Sequence, residues 1–359
     1  MEGTKYPKNK DCRQCKYEDH CPGLPVAFRT NATLRASAIH DLPEEVVLEV
    51  TQRCNSDCRA CFIQKQSREI PLAKMKKVIN ECARLGIKVI RLTGGETLLY
   101  SHIEKALSYA KERNLRVILN TNGTILDKKI KVILKNYVDN ILVSLRGFNA
   151  PSEKWLTRSA IGFKEKIKNI TDLNHLIPGS RIGTVISRTL IDNLPKYHNL
   201  IKKMGIKNWE LYRPMVAHGD NEFAINRVDL LKIMYYLKEI KSEGRDIKIA
   251  NPVPFCITPD LDLSSYALLG GEGEDGHKRI VFDVGGFLKP SYSINKNLGQ
   301  EIEVAWLSPF LKKMRSLSYL PKKCKICFYL KWCKGGSRYW AKVINRDYFA
   351  PDPLMETGN

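Results

Sequence analysis

From residue 43 to about 250 the chain alternates strand-like and helix-like stretches, and that pattern limits its fold more than any other feature. The strand-like runs are 46–51, 88–93, 115–120, 139–145, 181–187, 207–213 and 246–250. The clearest helical runs, 71–86, 101–114, 126–136, 161–174, 194–204 and 227–242, lie between them. Such alternation predicts a parallel sheet joined by crossover helices. Six or seven units are too few for a closed eight-stranded barrel; an α/β fold of the partial, open (β/α)6 barrel type fits the count. In parallel barrels chemistry collects at the C-terminal ends of the strands.

Directly after the first strand run comes LEVTQRCNSDCRAC, which places Cys54, Cys58 and Cys61 in a C-x3-C-x2-C triplet followed by Phe62. Three closely spaced thiolates at the mouth of a strand can hold three irons of a [4Fe–4S] cluster and leave the fourth open. An open metal position is what a catalytic site needs. Spacing alone also allows a three-cysteine zinc site with a distant fourth ligand.

At 359 residues the chain has room for one such barrel plus small extensions. No apolar run is long enough to span a bilayer, and MEGTKYPKNKDC lacks the apolar segment of a signal peptide. A cytoplasmic location is expected, where eleven cysteines serve as metal ligands rather than as disulfides. Nine of them form three triplets; Cys82, in VINECARLG, shares a helical face with Val78, Ile79 and Leu85 and reads as a small core residue. The net charge of +21 admits a nucleic-acid partner, or simply a lysine-rich composition; no nucleic-acid-binding module accompanies it.

Further candidates sit where the later strands end. Thr93-Gly94-Gly95-Glu96 closes the second, Asn120-Thr121-Asn122-Gly123-Thr124 the third, and Ser144-Leu145-Arg146-Gly147 the fourth. The fifth ends in Ile186-Ser187-Arg188 and the sixth in Tyr212-Arg213-Pro214, with His218 beyond. Paired glycines let backbones approach closely, a carboxylate such as Glu96 accepts from an ammonium group, and arginine suits carboxylates.

The cysteine triplet with its trailing aromatic, followed by Gly-Gly-Glu, resembles the radical S-adenosylmethionine (SAM) superfamily. The resemblance implies a catalytic [4Fe–4S] cluster on Cys54, Cys58 and Cys61. It also implies a SAM site in which Gly94, Gly95 and Glu96 hold the amino group, with Asn122, Ser144, Ser187 and Arg188 facing the ribose and carboxylate. Tyr212, Arg213 and His218 would line the substrate side. Two departures stand out: Thr97 follows Gly-Gly-Glu where the family usually has Pro, and Arg146 replaces the Asp of Ser-Leu-Asp-Gly.

From residue 252 the composition shifts to Gly-, Pro- and Asp-rich turns, then to KCKICFYLKWC with Cys324, Cys327 and Cys333 in C-x2-C-x5-C spacing. This region is similar to the SPASM/Twitch auxiliary-cluster extension, with Cys256 at its first cysteine, Gly286-x4-Ser291 for Gly-x4-Cys and a closing Asp352-Pro353. Ser291, Ser337 and Met355 stand where the full pattern has Cys, which implies that one auxiliary cluster is lost; Cys256 is then free to join the remaining triplet. Zinc at that triplet stays open on spacing alone. The N-terminal triplet Cys12, Cys15, Cys21 shares the same spacing and suits either iron–sulfur or zinc.

The expected organisation is therefore an N-terminal Cys-rich extension (1–42), a radical SAM partial barrel (43–250) and an auxiliary-cluster domain (251–359). The resemblance implies reductive cleavage of SAM to a 5′-deoxyadenosyl radical, then hydrogen abstraction. One or two auxiliary [4Fe–4S] clusters and an external ferredoxin- or flavodoxin-type electron donor go with it. A peptide or protein substrate is expected first, and tRNA, a tetrapyrrole or a small cofactor precursor second. A non-catalytic, metal-stapled binding protein is the alternative from another class. Membrane association is not expected, and no separate cobalamin-binding domain fits in this length.

Overall fold

The computed structural model describes residues 42–215, 220–240, 244, 246–274 and 276–355. Cys12, Cys15, Cys21 and His218 lie outside the described residues. The described residues from Glu44 onward group as one compact unit.

Seven parallel strands follow the chain order: β1 (Glu45–Thr51), β2 (Val89–Gly94), β3 (Arg116–Thr121), β4 (Asn140–Ser144), β5 (Arg181–Val185), β6 (Asn208–Tyr212) and β7 (Asp246–Ile249). Each pairs with its predecessor. On the other side of β1, β8 (Arg279–Phe282) joins in parallel and β9 (Leu288–Lys289) closes an antiparallel hairpin. The order β7-β6-β5-β4-β3-β2-β1-β8-β9 leaves β7 and β9 as edges, so the barrel is open. The seven strand runs read from the sequence all appear, shifted by one or two residues at their ends. The segment after residue 250 also contributes β8 and β9 to this sheet.

The helices are α1 (Leu72–Arg84), α2 (Ile103–Lys111), α3 (Lys128–Tyr137), α4 (Ala150–Thr157), α5 (Phe163–Leu176), α6 (Arg188–Ile191), α7 (Leu194–Lys203), α8 (Arg227–Glu239) and α9 (Leu261–Ala267). The C-terminal region adds α10 (Ile302–Trp306), α11 (Pro309–Ser316), α12 (Lys322–Lys325), α13 (Leu330–Cys333) and α14 (Arg338–Asn345). Helices α4 and α6 were not expected. A capping box, with Asn149 and Ser152 bonding reciprocally, starts α4, and Ser187 caps α6. Among the described residues no helix is long and apolar enough to cross a membrane.

Strand alternation divides the protein into two layers. Val46, Leu48 and Val50 of β1, with Met75, Val78, Ile79 and Cys82 of α1, belong to one large apolar cluster between sheet and helices. Cys82 is fully buried there, as its helical spacing predicted.

The opposite face of the sheet is polar. Arg91 donates from Nε and Nη2 to Glu45 (2.6 and 3.0 Å), and Arg181 donates to Asn140 (2.8 Å) and Glu210 (2.6 Å). The Arg181 charge also acts on Glu45, four strands away in sheet order. Flat strands that far apart would be about 19 Å distant. The sheet is therefore curved, with these charges inside the curve.

Candidate functional site

The mouth of the barrel is built by backbone contact between the end of β2 and the segment leaving β1. The β1–β2 register shifts between Glu49 and Thr51, which redirects the chain toward Cys54. Gly95 N–H donates to Thr51 O and Glu96 N–H to Arg53 O, both at 2.7 Å. A Cβ on Gly94 would lie 2.3 Å from Thr51 O, and one on Gly95 would lie 2.2 Å from Arg53 O. The two glycines are needed because the cysteine loop itself passes at contact distance.

The loop is fixed at several further points. Asp57 N–H and Arg59 N–H donate to Thr157 O and Leu156 O at the end of α4, and Cys61 N–H closes a turn on Cys58 O. Asn122 Nδ2 donates to Asn55 (2.8 Å), and Asn55 donates to Thr124 (2.8 Å). Arg59 grips the Asp220 carboxylate through two nitrogens and lies 4.0 Å over the Trp155 ring.

Cys54, Cys58 and Cys61 are free thiols, each half-buried, and close enough to interact electrostatically. Burial raises the Cys54 thiol, and the Ser56 backbone N–H works against this. Burial raises Cys58 as well, while Arg146 and Lys166 favour its thiolate. A cavity of about 10 Å³ lies between Cys58, Arg146, Ser187 and Phe223.

Among the described residues no three His, Cys, Asp or Glu side chains are gathered for a single metal ion. An iron–sulfur cluster asks for something different, with each thiolate binding its own iron. The donor set fits that group: three adjacent thiols, a backbone N–H on one sulfur and two cations facing another. Backbone donors and nearby cations both favour thiolate.

The strand-end residues serve each other more than an open pocket. Glu96 is fully buried: Oε1 accepts from Leu98 N–H (3.0 Å) and the Thr121 hydroxyl (2.7 Å), and Oε2 accepts from Asn122 N–H (2.7 Å). Its carboxylate ties β2 to β3. Asn122 is engaged with Asn55 and Thr124, and Ser187 caps α6 by accepting from Leu190 N–H. Arg188 pairs with Asp229 and donates to Ala224 O, so its guanidinium is already held by the start of α8.

Ser144 stands half-buried at the end of β4. Beside it Arg146 donates to Gly183 O at 3.4 Å, while its buried Nε has no hydrogen-bond partner. Arg146 and Gly147 are themselves placed by Glu153, which accepts from both backbone N–H groups and forms a buried ion pair with Lys166. Glu153 and Lys166 had no motif to reveal them. They become visible only when α4 and α5 pack under the β4 loop.

Arg213 and Tyr212 do not line an open substrate face. Arg213 is buried against Asp352 and lies 5.1 Å over the Trp340 ring; the Tyr212 hydroxyl donates to Glu210 inside the barrel.

A second thiol group forms near the C-terminus. Cys256, in the short turn Phe255–Ile257 after β7, packs with Leu320, Cys324 and Met355. Burial raises the Cys324 thiol, and the Cys256 and Cys327 thiols add to the effect. Cys333 is pushed up to about 11 by burial, with Cys256 contributing, while backbone N–H groups of Phe255, Gly335 and Gly336 point at its sulfur. The fold thus brings Cys256 to the C-x2-C-x5-C triplet across about 70 residues of chain. Ser337 caps α14, and Ser291 is buried with its hydroxyl unpartnered.

Residues 48–200 match the family model of the Radical SAM superfamily. The AdoMet-dependent heme synthase of Methanosarcina barkeri is 25% identical over 342 residues, 88% of this chain and 97% of that protein. The PqqA peptide cyclase of Granulibacter bethesdensis is 22% identical, over 87% of this chain and 86% of its own. Streptococcus suis SuiB bound to the precursor peptide SuiA has the same fold, with a TM-score of 0.70 at 17% identity, covering 88% of this chain and 76% of that one. The family match begins in β1, runs through the cysteine loop and the β2–β5 ends, and stops in α7, so the part of the chain that builds the site is the part that is recognised. The chain carries a Radical SAM superfamily domain over residues 48–200, and it is an enzyme.

Proposed function

We propose that this enzyme removes a hydrogen atom from a peptide or protein substrate, in an oxidative modification carried out in the cytoplasm. A reduced [4Fe–4S] cluster with SAM would supply one-electron cleavage of the sulfonium and, through it, abstraction from an unactivated C–H bond. Cys54, Cys58 and Cys61 would hold that cluster. Gly94 and Gly95 keep the cysteine loop against β2, and Glu153 and Lys166 hold Arg146 beside Cys58. The half-buried Ser144 and the unpartnered Nε of Arg146 are the side-chain groups best placed to meet SAM.

The same proposal gives Cys256, Cys324, Cys327 and Cys333 an auxiliary [4Fe–4S] cluster, because the N–H groups around Cys333 favour a thiolate. The role of Cys12, Cys15 and Cys21 as a further iron–sulfur or zinc site is part of the proposal from spacing alone.

The observation that carries the peptide reading is the likeness of fold to a peptide-bound enzyme through the barrel and the C-terminal cysteine region together. A second reading, a tetrapyrrole substrate, is favoured by the alignment with the heme synthase over nearly its whole length. Anaerobic incubation with SAM and dithionite, with 5′-deoxyadenosine as readout, separates the two. A peptide pool that raises turnover and yields peptides lighter by two hydrogens supports the first. Stimulation by an iron porphyrin carrying propionates, with no peptide product, overturns it in favour of the second. No 5′-deoxyadenosine under any condition would overturn both.

A further inference from the structure

The basic residues are spread along this chain, but the acidic ones are not. Between Glu303 and Asp347 there are eleven Lys and Arg and no Asp or Glu. Elsewhere the two signs are mixed, since the whole chain carries 59 basic and 38 acidic residues. The acid-free stretch contains the C-terminal cysteine triplet.

The fold turns part of this stretch outward. Lys322, Lys325 and Lys331 are exposed, and so is Cys327, whereas Cys324 and Cys333 are buried. Ile326 is 88% exposed and Phe328 73%, the two highest values for large exposed hydrophobics among the described residues. Phe328 packs its ring on Tyr329 and Trp332, and Lys331 lies 3.9 Å over Trp332. One exposed apolar residue needs no explanation, but two within a stretch free of Asp and Glu, beside a ring cluster, match the apolar centre and charged rim of a docking site.

We propose that this face, with Ile326 and Phe328 at its centre and Lys322, Lys325 and Lys331 around it, docks an acidic one-electron carrier protein of the iron–sulfur or flavin type. The charge selects an acidic partner. A basic rim steers an oppositely charged partner and repels basic competitors, whereas a compact apolar centre suits a small, transient interface. The position selects a carrier, because the exposed cysteine of the four-thiol group is the one this surface surrounds. That last step rests on the auxiliary-site reading; the docking itself does not. A single-stranded RNA would also favour lysines and rings, and it is the competing outcome.

The test uses the full chain with a reduced plant-type ferredoxin as probe, and a variant carrying Lys322→Glu, Lys325→Glu and Lys331→Glu. A second variant with Gln at the three positions guards against disruption by added negative charge. At low ionic strength the Glu variant should bind ferredoxin at least about tenfold more weakly than the unmodified chain, with the Gln variant between them. Added salt should weaken binding to the unmodified chain far more than binding to the variants. Phe328→Ala should weaken binding without changing the salt dependence. Ferredoxin-driven 5′-deoxyadenosine formation should fall in step with binding, while the dithionite-driven rate stays unchanged.

Equal ferredoxin binding by all forms overturns the proposal. So does lysine-dependent binding of a single-stranded RNA oligonucleotide with ferredoxin binding unaffected. If dithionite yields no 5′-deoxyadenosine, the proposed reaction fails, and the binding measurement still decides the docking site.

Discussion

Arg213 at the end of β6 and Asp352 near the C-terminus form a buried ion pair, with Nη1 of the arginine 2.9 and 3.2 Å from the two carboxylate oxygens. Both side chains are almost completely excluded from solvent. Asp352 also accepts from Ser337 N–H (2.7 Å) and Leu354 N–H (2.8 Å), and Arg213 N–H donates to Asn251. A single carboxylate therefore connects the barrel, the start of α14 and the chain terminus. Asp352→Ala leaves a buried guanidinium and two backbone donors without their acceptor. It should cost about 3–5 kcal/mol in chemical denaturation, and Asp352→Asn less. A cost under about 1 kcal/mol would mean that the C-terminal segment is held by other contacts.

Gly95→Ala places a methyl group where Arg53 O already lies. The loop carrying Cys54 must move, at about 1–3 kcal/mol, and iron incorporation should drop with it. Gly162→Ala is the comparison, because its Cβ meets nothing within 4 Å and its backbone is not left-handed. Equal iron content in the two variants would contradict the close-approach argument.

The two thiol groups should be separable by iron analysis. Cys54→Ala should abolish SAM cleavage, and Cys256→Ala should remove about four irons per chain while dithionite-driven SAM cleavage persists. Unchanged iron in the Cys256 variant would leave the C-terminal triplet with some other fourth ligand.

Acid stability should depend on Glu45. Burial opposes its ionisation, yet Arg279 and Arg91 together hold its carboxyl at about 2, against 4.5 for an ordinary glutamate. A depressed folded-state value stabilises the protein at every pH above the unfolded value. That contribution disappears as pH falls from about 4.5 through 2. The shift corresponds to about 3 kcal/mol. Glu45→Gln should lower stability at pH 7 and flatten its dependence between pH 4.5 and 2. A parallel displacement of the whole curve would show that Glu45 does not titrate in this way.

Lys166→Met strips the buried partner from Glu153, which carries the backbone of Arg146 and Gly147. A loss of about 3–5 kcal/mol is expected, and a change in the visible spectrum of the reconstituted cluster should accompany it. An unchanged spectrum with full stability would remove Lys166 from the supports of the loop that carries Arg146.

The alternation of strands and helices and the place of Cys54, Cys58 and Cys61 directly after the first strand were legible in the sequence. Each follows from local rules: apolar periodicity sets the strands and helices, and three cysteines within eight residues cannot be far apart. The protein partners of single polar residues were not legible. The resemblance places Glu96, Asn122, Ser187 and Arg188 at the SAM site and Arg213 on the substrate side, without showing which protein groups each one also binds. In the folded chain Glu96 latches β3, Asn122 braces the cysteine loop, Ser187 caps α6, Arg188 locks onto α8 and Arg213 anchors the C-terminus. A strand end brings a polar side chain to the mouth of the barrel, but its partner is chosen by whatever else packs there. Asp229, Cys256 and Asp352 arrive from 41 residues (Arg188 to Asp229) to 139 residues (Arg213 to Asp352) along the chain. Periodicity determines what each segment becomes; only tertiary packing decides which buried charges and thiols meet, because an unpaired polar group in the interior costs too much to be left alone.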